Sequence, residues 1–287
     1  MRLLHGRPLA EKVNARSRER IKALAARGVT PRLAVVSVGI DPAASTYQER
    51  LIRSGKTLGI DVRVAAFPRG TSENEVVERI VTLAAEPSVN GILLLTPLPL
   101  PLSESRLVDE IPPEKDVEGV HPYNVGLMRA GRPRFVPSTA DGILELLKFH
   151  EIPLRGARAV VIGRSPVVGR PTATLLTNED ATVTVAHSQT PDIPSITRAA
   201  AIVVVAVGKA GFLTGEMLAP GVTVIDAGIN VTPAGLVGDV DVESVSAVAA
   251  ALSPVPGGLG AVTTALLLRN VVRAAEEQTS EKARPLA

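Results

Sequence analysis

The segment GRSPVVGRP, residues 163–171, constrains the fold more than any other, because it joins an apolar run to a helix-compatible one. The run ARAVVI before it is typical of a β-strand, and ATLLTNED after it is compatible with a helix. Backbone N–H groups at a helix N-terminus bind anions, and glycine permits a close approach that a Cβ would block. The segment therefore predicts a dinucleotide pyrophosphate site, with Gly163 and Gly169 as its pivots.

The glycine spacing differs from GxGxxG, so the identity of the cofactor depends on the neighbouring residues. An NAD-binding fold ordinarily has a carboxylate for the ribose 2′-hydroxyl after the second strand. Here the strand TVTVAH leads into HSQT, residues 187–190, which contains no acid. Arg164 and Ser188 offer a cation and a hydroxyl, which favours NADP over NAD. Taken singly, Arg164 also fits a solvated surface arginine and Ser188 a turn residue.

Composition excludes several classes of function. The 287 residues, of which 45% are hydrophobic, suffice for one large or two medium domains with a sizeable core. A net charge of +2 and 2% aromatic residues indicate neither a nucleic-acid partner nor a membrane partner. The absence of cysteine excludes disulfides, thiolate metal sites and cysteine nucleophiles. Because no signal peptide or membrane-spanning run is present, we expect a cytoplasmic enzyme.

Short β-rich runs alternate with helical patterns, which predicts an α/β fold of βαβ units with parallel strands. Strands are expected in RLAVVSV, VRVAAF, NGILLL, AVVIG, TVTVAH, AIVVVAVG and VTVIDAG. Helices are expected from about Ser45 to Leu58, after a capping box at Ser72 and Glu75, and from about Ala261 to Glu277, followed by a frayed tail, QTSEKARPLA. The proline-rich segments TPLPLPL and IPPEKDVEGVHP are expected as loops at the ligand-binding end of the sheet.

Eight segments follow one another along most of the chain. They are DPAASTY (41–47), GILLLTPLPLP (91–101), KDVEGVHPYNVG (115–126), GRSPVVGRP (163–171), HSQT (187–190), VIDAGIN (224–230), GDV (238–240) and PVPGGLG (254–260). In content and order they resemble the methylenetetrahydrofolate dehydrogenase/cyclohydrolase family. That family oxidises 5,10-methylenetetrahydrofolate by hydride transfer to the nicotinamide, and commonly hydrolyses the methenyl product to 10-formyltetrahydrofolate.

The resemblance implies two α/β domains with a cleft between them, the C-terminal one a Rossmann-like parallel sheet, in a homodimer. Residues 1–140 with 262–287 are expected to bind a tetrahydrofolate one-carbon derivative, and residues 141–261 to bind NADP. The cofactor positions that match are Gly163, Arg164, Ser165, Ser188 and, against the nicotinamide, Ile229. The substrate positions are Tyr47, Glu118, Pro256, Gly257 and Gly258. The catalytic positions are Tyr47, Leu51, Leu95 and Glu118, and no metal is implied.

Several of these positions depart from the family pattern. Where the family pattern has a lysine four residues after the tyrosine, this chain has Leu51. Where the pattern has the glutamine of VQLPLP, this chain has Leu95. The second aspartate of KDVDG is Glu118, whose extra methylene shifts the carboxylate, and GGVGPMT becomes GGLGAVT with Ala261 and Val262.

The loss of the lysine has a chemical consequence. On a helix, positions 47 and 51 lie about 40° apart and face the same ligand, but leucine supplies neither a proton nor a charge. Lys56 lies roughly 180° around the axis from Tyr47, so it is no simple replacement. Managing protons during water addition contributes about two to four orders of magnitude in rate. Cyclohydrolase activity is therefore expected to be weak or absent.

Hydride transfer requires less of the protein, because the nicotinamide and the pterin nitrogens supply the chemistry. Losing lysine and glutamine together is coherent, since a buried amide without its partner costs about 1–3 kcal/mol. Two alternatives stay open: a paralogue that acts on another small substrate suited to a more apolar pocket, and a catalytically silent nucleotide-binding or dimerisation paralogue.

Two other sets of residues are expected to be structural. Asp226, at the end of VTVID, fits a loop cap better than a catalytic acid. The four histidines are too scattered for a metal site: His5, His121, His150 and His187.

Overall fold

The computed structural model describes residues 1–39, 42–233 and 235–282, without the side chains at 42, 43, 281 and 282. Asp41, in the DPAASTY segment, lies outside the described residues. The strands are β1 (Arg2–Leu3), β2 (Arg32–Val38), β3 (Asp61–Phe67), β4 (Gly91–Leu94), β5 (Arg158–Ile162), β6 (Thr182–Ala186), β7 (Ile202–Val205), β8 (Thr223–Asp226), β9 (Asn230–Thr232), β10 (Gly235–Val237) and β11 (Ala251–Leu252). The helices are α1 (Arg7–Ala25), α2 (Pro42–Leu58), α3 (Glu73–Ala85), α4 (Glu104–Asp109), α5 (Pro122–Arg129), α6 (Ser138–Phe149), α7 (Gly169–Asn178), α8 (Ile193–Thr197), α9 (Val242–Ser246) and α10 (Leu259–Lys282), with a 3₁₀ turn at Gly215–Met217.

The chain divides into two compact units. The first contains residues 1–11 and 137–263, and the second contains residues 12–136 and those from 264 onward. From the sequence, residues 1–11 were expected in the substrate domain, which corresponds to the second unit. The structure places them in the first unit, where β1 pairs in parallel with β11 and Arg2 lies opposite Ala251. Strands of two residues carry no hydrophobic period, so neither was expected. None of the described helices combines the length and the apolar character needed to cross a membrane.

The first unit is built on a six-stranded parallel sheet in the order β1-β11-β8-β7-β5-β6, which confirms the expected Rossmann-like sheet. Strands β7 and β8 are buried along their whole length, which explains their nearly continuous apolar sequences. From β5 the chain forms β6 on one side and then returns to β7 on the other. The strand order therefore reverses at β5, and open α/β sheets bind ligands at the carboxyl end of such a point.

The second unit contains a three-stranded parallel sheet in the order β3-β2-β4. Side chains of β2 alternate between its faces: Leu33 and Val35 pack in one hydrophobic cluster, and Val36 and Val38 in another. Helices α1, α2 and α10 contribute to the first cluster, and α3 and α4 to the second. We call the face that carries Leu33 and Val35 the α2 face.

Both ends of α3 are capped by side chains. The hydroxyl of Ser72 accepts a hydrogen bond from the backbone N–H of Glu75 at 3.3 Å, as the capping box predicts. At the other end Lys115, which is 8% exposed, donates from Nζ to the carbonyl oxygens of Ala84 at 2.7 Å and Glu86 at 2.9 Å. The positive charge of the lysine also interacts favourably with the negative, C-terminal end of the helix dipole.

The expected frayed tail is wrong as far as residue 282, because α10 continues to Lys282. The amide of Gln278 donates to the carbonyl oxygens of Asn90 at 2.9 Å and Glu114 at 3.1 Å, which fixes this part of the helix.

Lys115→Met is expected to lower the free energy of unfolding by about 1–3 kcal/mol, because two helix-terminal carbonyls lose their buried donor. Urea unfolding followed by circular dichroism measures the change, since the chain has no tryptophan. The control is Lys22→Met, at a side chain 74% exposed and paired with Glu19, where a change within about 0.5 kcal/mol is expected. Equal losses in both variants would contradict this role of Lys115.

Candidate active site

The turn after β5 closes through contacts that only glycine permits. Gly163 has a φ of +126°, and a Cβ there would overlap the carbonyl oxygen of Ala206, which follows β7. A Cβ at Gly169 would overlap the carbonyl oxygen of Gly163. Ser165 Oγ accepts hydrogen bonds from the backbone N–H groups of Val168 at 3.1 Å and Gly169 at 3.3 Å, which fixes the start of α7. The sequence therefore forms a tight turn at the point where the strand order reverses.

The HSQT segment lies at the same edge of the sheet as this turn. Strands β5 and β6 are parallel neighbours, and the N–H of Gly163 donates to the carbonyl of Ala186 at 2.8 Å. Arg164 follows β5 and Ser188 follows β6, and both are exposed. Among the residues that the structure describes, no carboxylate pairs with Arg164. A cation and a hydroxyl therefore stand at the ends of adjacent strands.

Internal hydrogen bonds shape the HSQT turn. The backbone N–H of His187 donates to Thr190 Oγ1 at 2.9 Å, and the N–H of Gln189 donates to His187 Nδ1 at 3.3 Å. Asp192, the next acid along the chain, accepts from the N–H of Ser195 at 3.2 Å and caps α8. Its carboxylate is thus engaged at a helix terminus.

A buried carboxylate holds the loop after β7. Asp239 is 0% exposed, and its Oδ2 accepts from the backbone N–H groups of Val207 at 2.6 Å and Gly208 at 2.9 Å. Its Oδ1 accepts from the N–H of Lys209 and from Asn230 Nδ2, both at 2.9 Å. Asp239 was not predicted from the sequence, where the GDV segment is its only signal.

A second buried carboxylate, Asp226, holds the loop after β8. Its Oδ1 accepts from the N–H groups of Gly228 and Asp239 at 2.9 Å each, and its Oδ2 accepts from that of Val240 at 3.1 Å. Burial raises the pKa of Asp226 above its ordinary value, the three N–H bonds oppose the rise, and the nearby charge of Asp239 adds to it. The expectation that Asp226 caps a loop is confirmed. Ile229 lies inside this anchored segment and is 65% exposed.

In the second unit, the two leucines that depart from the family pattern are core residues. Leu51 is 0% and Leu95 5% exposed, and both belong to the cluster on the α2 face. Tyr47 is partly buried and packs against the same cluster. The structure thus brings the three positions together, with apolar side chains where the pattern has an amine and an amide.

The KDVEG segment is organised by Asp116, which is 1% exposed. Its carboxylate accepts from the N–H groups of Gly119 at 3.0 Å, Val120 at 3.2 Å and His121 at 2.8 Å, and from Asn124 Nδ2 at 2.8 Å. Burial raises the pKa of Asp116, and these hydrogen bonds oppose the rise.

The turn that Asp116 organises contains Glu118, which is half-buried. Glu118 was predicted from the sequence, whereas Asp116 and Lys115 were not, because their partners become visible only in the folded chain.

The histidines and the PVPGGLG segment have contacts of their own. His121 Nδ1 accepts from the N–H of Tyr123 at 3.0 Å at the start of α5, and no group of three or more metal-binding side chains occurs in the described ranges. Gly258 is buried, and a Cβ there would lie 2.7 Å from the carbonyl oxygen of Pro254. Pro256 and Gly257 are exposed, and the Gly257 carbonyl accepts from the N–H of Gly6 at 2.9 Å.

Two family models match the chain. The catalytic domain of tetrahydrofolate dehydrogenase/cyclohydrolase matches residues 4–118, and the NAD(P)-binding domain of the same family matches residues 137–279. The chain belongs to this family. The match agrees with the resemblance in the eight segments and with the fold of both units.

Relatives of the family are similar over nearly the whole chain. A protein of Roseiflexus sp. (strain RS-1) named bifunctional protein FolD is 46% identical over 282 residues, 98% of each chain. The crystal structure of the bifunctional enzyme FolD, methylenetetrahydrofolate dehydrogenase/cyclohydrolase, from Campylobacter jejuni has a TM-score of 0.94 and 40% identity, covering 96% of this chain and 99% of that one. A Trypanosoma brucei member, complexed with NADP cofactor and inhibitor, has a TM-score of 0.92 and 34% identity, covering 96% and 98%.

Gly163→Ala is expected to destabilise the first unit by about 1–3 kcal/mol more than the same substitution at a positive-φ glycine with free space around it. The reason is that the new methyl group overlaps the Ala206 carbonyl. Gly235→Ala is the control, since Gly235 has a similar φ of +117° and no atom within 4 Å of its Cβ position. The difference between the two variants in urea unfolding isolates the steric contribution. A Gly163→Ala variant no less stable than the control would show that the turn opens without cost.

Proposed function

We propose that the chain is an NADP-dependent methylenetetrahydrofolate dehydrogenase whose methenyltetrahydrofolate cyclohydrolase activity is weak or absent. The observation that carries the proposal is the burial of Leu51 and Leu95 in the core at the positions where the family pattern has lysine and glutamine. In this proposal the first unit binds NADP and the second binds the folate derivative. The homodimer and the cytoplasmic location stay predictions.

The choice of NADP rests on charge at the edge formed by β5 and β6. Arg164 is exposed and has no carboxylate partner among the described residues, so its guanidinium is available to an anion. Ser188, on the neighbouring strand end, supplies a hydroxyl, while the carboxylate of Asp192 caps α8. Arginine binds phosphate through charge-assisted hydrogen bonds, and the 2′-phosphate is what distinguishes NADP from NAD.

The loops after β7 and β8 are suited to orienting the other end of the cofactor. Their backbone N–H groups are tied to Asp239 and Asp226, so Val207 and Ile229 present apolar side chains, 37% and 65% exposed, from anchored segments. A bound nicotinamide supplies the hydride acceptor. The contribution of the protein is to hold the two reacting carbons in contact and to exclude water.

The hydrolytic step differs because it requires a proton carrier at the reacting carbon. Leu51 offers none, and Lys56 is exposed and on the opposite side of α2 from Tyr47. Without such a group, the rate of water addition is lower by about two to four orders of magnitude. Hydride transfer requires only that the two reacting carbons are held in contact and correctly oriented. Leucine at positions 51 and 95 is compatible with both.

Arg164→Ala is expected to raise the KM for NADP by about 10-fold or more and to leave the KM for NAD within about 3-fold, because a charge-assisted hydrogen bond contributes about 1.5–3 kcal/mol. Initial rates at the absorbance band of the reduced nicotinamide measure both constants. Arg158→Ala, at the exposed amino end of β5, is the control and should change neither. Equal effects on the two cofactors would contradict 2′-phosphate recognition by Arg164.

The wild-type chain is expected to turn over methylenetetrahydrofolate with NADP steadily, and to hydrolyse methenyltetrahydrofolate about 10²–10⁴-fold more slowly than members with the lysine. Paired dehydrogenase and cyclohydrolase assays measure this. Leu51→Lys should restore hydrolysis only together with Leu95→Gln, because an ammonium among the apolar side chains of the α2 face is unfavourable unless a carboxamide at position 95 accompanies it. Normal hydrolysis by the wild type would refute the proposal, and a gain from Leu51→Lys alone would contradict the coupled repacking of positions 51 and 95. NADP binding without turnover would favour a paralogue with another substrate or a silent one.

A further inference from the structure

Several buried oxygen atoms in this chain have no hydrogen-bond partner. Unpaired buried acceptors are uncommon, because the atom has given up water without a replacement. Among the described residues they are Asn14 Oδ1, Ser17 Oγ, Ser37 Oγ, Gln48 Oε1, Asn124 Oδ1 and Thr172 Oγ1. Two of these residues, Ser37 and Gln48, are neighbours of the leucines that replace the polar pair of the family pattern.

Ser37 is a neighbour of Leu95. In the parallel pair β2–β4, Val36 is opposite Leu94, so the next residues, Ser37 and Leu95, are opposite each other and point to the α2 face. The N–H of Leu95 donates to the carbonyl of Val36 at 2.9 Å, which extends the pairing to this point. Ser37 is 1% exposed and is the penultimate residue of β2, at the carboxyl edge where α/β sheets bind ligands.

Gln48 is a neighbour of Leu51. The two are three residues apart on α2, and Tyr47 and Leu51 are four apart, so Leu51 lies between Tyr47 and Gln48 on one side of the helix. The Gln48 side chain is half-buried, with its amide oxygen buried and unpaired. Each position that has lost a polar side chain therefore adjoins one unpaired polar oxygen.

We propose that Ser37 and Gln48 are specificity-determining residues that accept hydrogen bonds from N–H groups of the reduced pterin. This inference rests on the proposed function and names the groups that bind its substrate in place of the family's lysine and glutamine. A reduced pterin carries several N–H donors, and both residues present acceptors. The ligand reaches them by displacing the side chain of Leu95, the more exposed of the two leucines.

A ligand-binding role for these unpaired acceptors predicts a result that a structural role does not. If they serve the ligand, removing them relieves the free protein of an unfavourable burial and weakens binding at the same time. If they serve the fold, or bind only a buried water molecule, their removal lowers stability or leaves it unchanged, without an effect on substrate affinity.

The test uses the full chain with Ser37→Ala and Gln48→Met, each alone. The melting temperature by circular dichroism is expected to stay equal or to rise. At saturating NADP, the KM for methylenetetrahydrofolate is expected to rise about 5- to 50-fold for each variant, the range expected when one buried hydrogen bond to a ligand is lost. The KM for NADP should be unchanged. The matched control is Thr172→Val, which removes an unpaired hydroxyl 1% exposed in the first unit and should leave the KM for the folate unchanged.

Binding of tetrahydrofolate by calorimetry separates this inference from the proposed function. If the wild type binds tetrahydrofolate without turnover and the two variants bind it more weakly, the dehydrogenase assignment fails and the inference stands. A lower melting temperature with unchanged KM and unchanged tetrahydrofolate affinity overturns the inference, as does a wild type that turns over the substrate with both variants kinetically unaltered. Failure of the wild type to bind tetrahydrofolate at all overturns it as well.

Discussion

The first unit depends on how backbone N–H groups are satisfied where parallel strands end. Beyond the last ladder bond, a buried N–H needs another acceptor, and an unpaired one is costly. Asp239 accepts three such N–H groups after β7, and Asp226 accepts three from the segments that follow β8. One of the three N–H groups that Asp226 accepts is that of Asp239 itself, so the two residues form one network. The loops at this edge consequently have defined positions before any ligand arrives.

That network explains why glycines recur at the same edge. A Cβ at Gly238 would overlap the carboxylate of Asp226, and one at Gly228 that of Asp239, so the backbone can approach the carboxylates only without side chains. Gly163 meets the Ala206 carbonyl in the same manner. The residues left to face a ligand are those that take no part in these contacts. Preorganisation of the loops and exposure of a few side chains thus have a common physical cause.

Much of this arrangement follows from local sequence, and the remainder does not. Buried parallel strands are apolar runs, so β2 was expected with its observed bounds and β5 to β8 to within a few residues of theirs. The glycine turn and the Ser72 cap are also local. By contrast, Asp239 meets Val207, and Lys115 meets Ala84, about thirty residues away in each case. Such pairs depend on which loops the sheet brings together, and a single sequence carries no periodic signal for them.

The second unit shows how core packing and chemistry compete for the same positions. A lysine at 51 would place an ammonium among the side chains of the α2 face, where burial disfavours the charge unless an amide and a substrate satisfy it. Leu51 and Leu95 remove that requirement and extend the cluster around Val117 and Phe135. Leucine at both positions favours the fold, because no buried charge then needs a substrate to satisfy it. Ser37 and Gln48, beside these leucines, have unpaired oxygens. Apolar replacements at those two positions would remove the unpaired oxygens, because the apolar neighbours give them nothing to bind. A ligand bound at this face would give both oxygens the hydrogen bonds that the core does not.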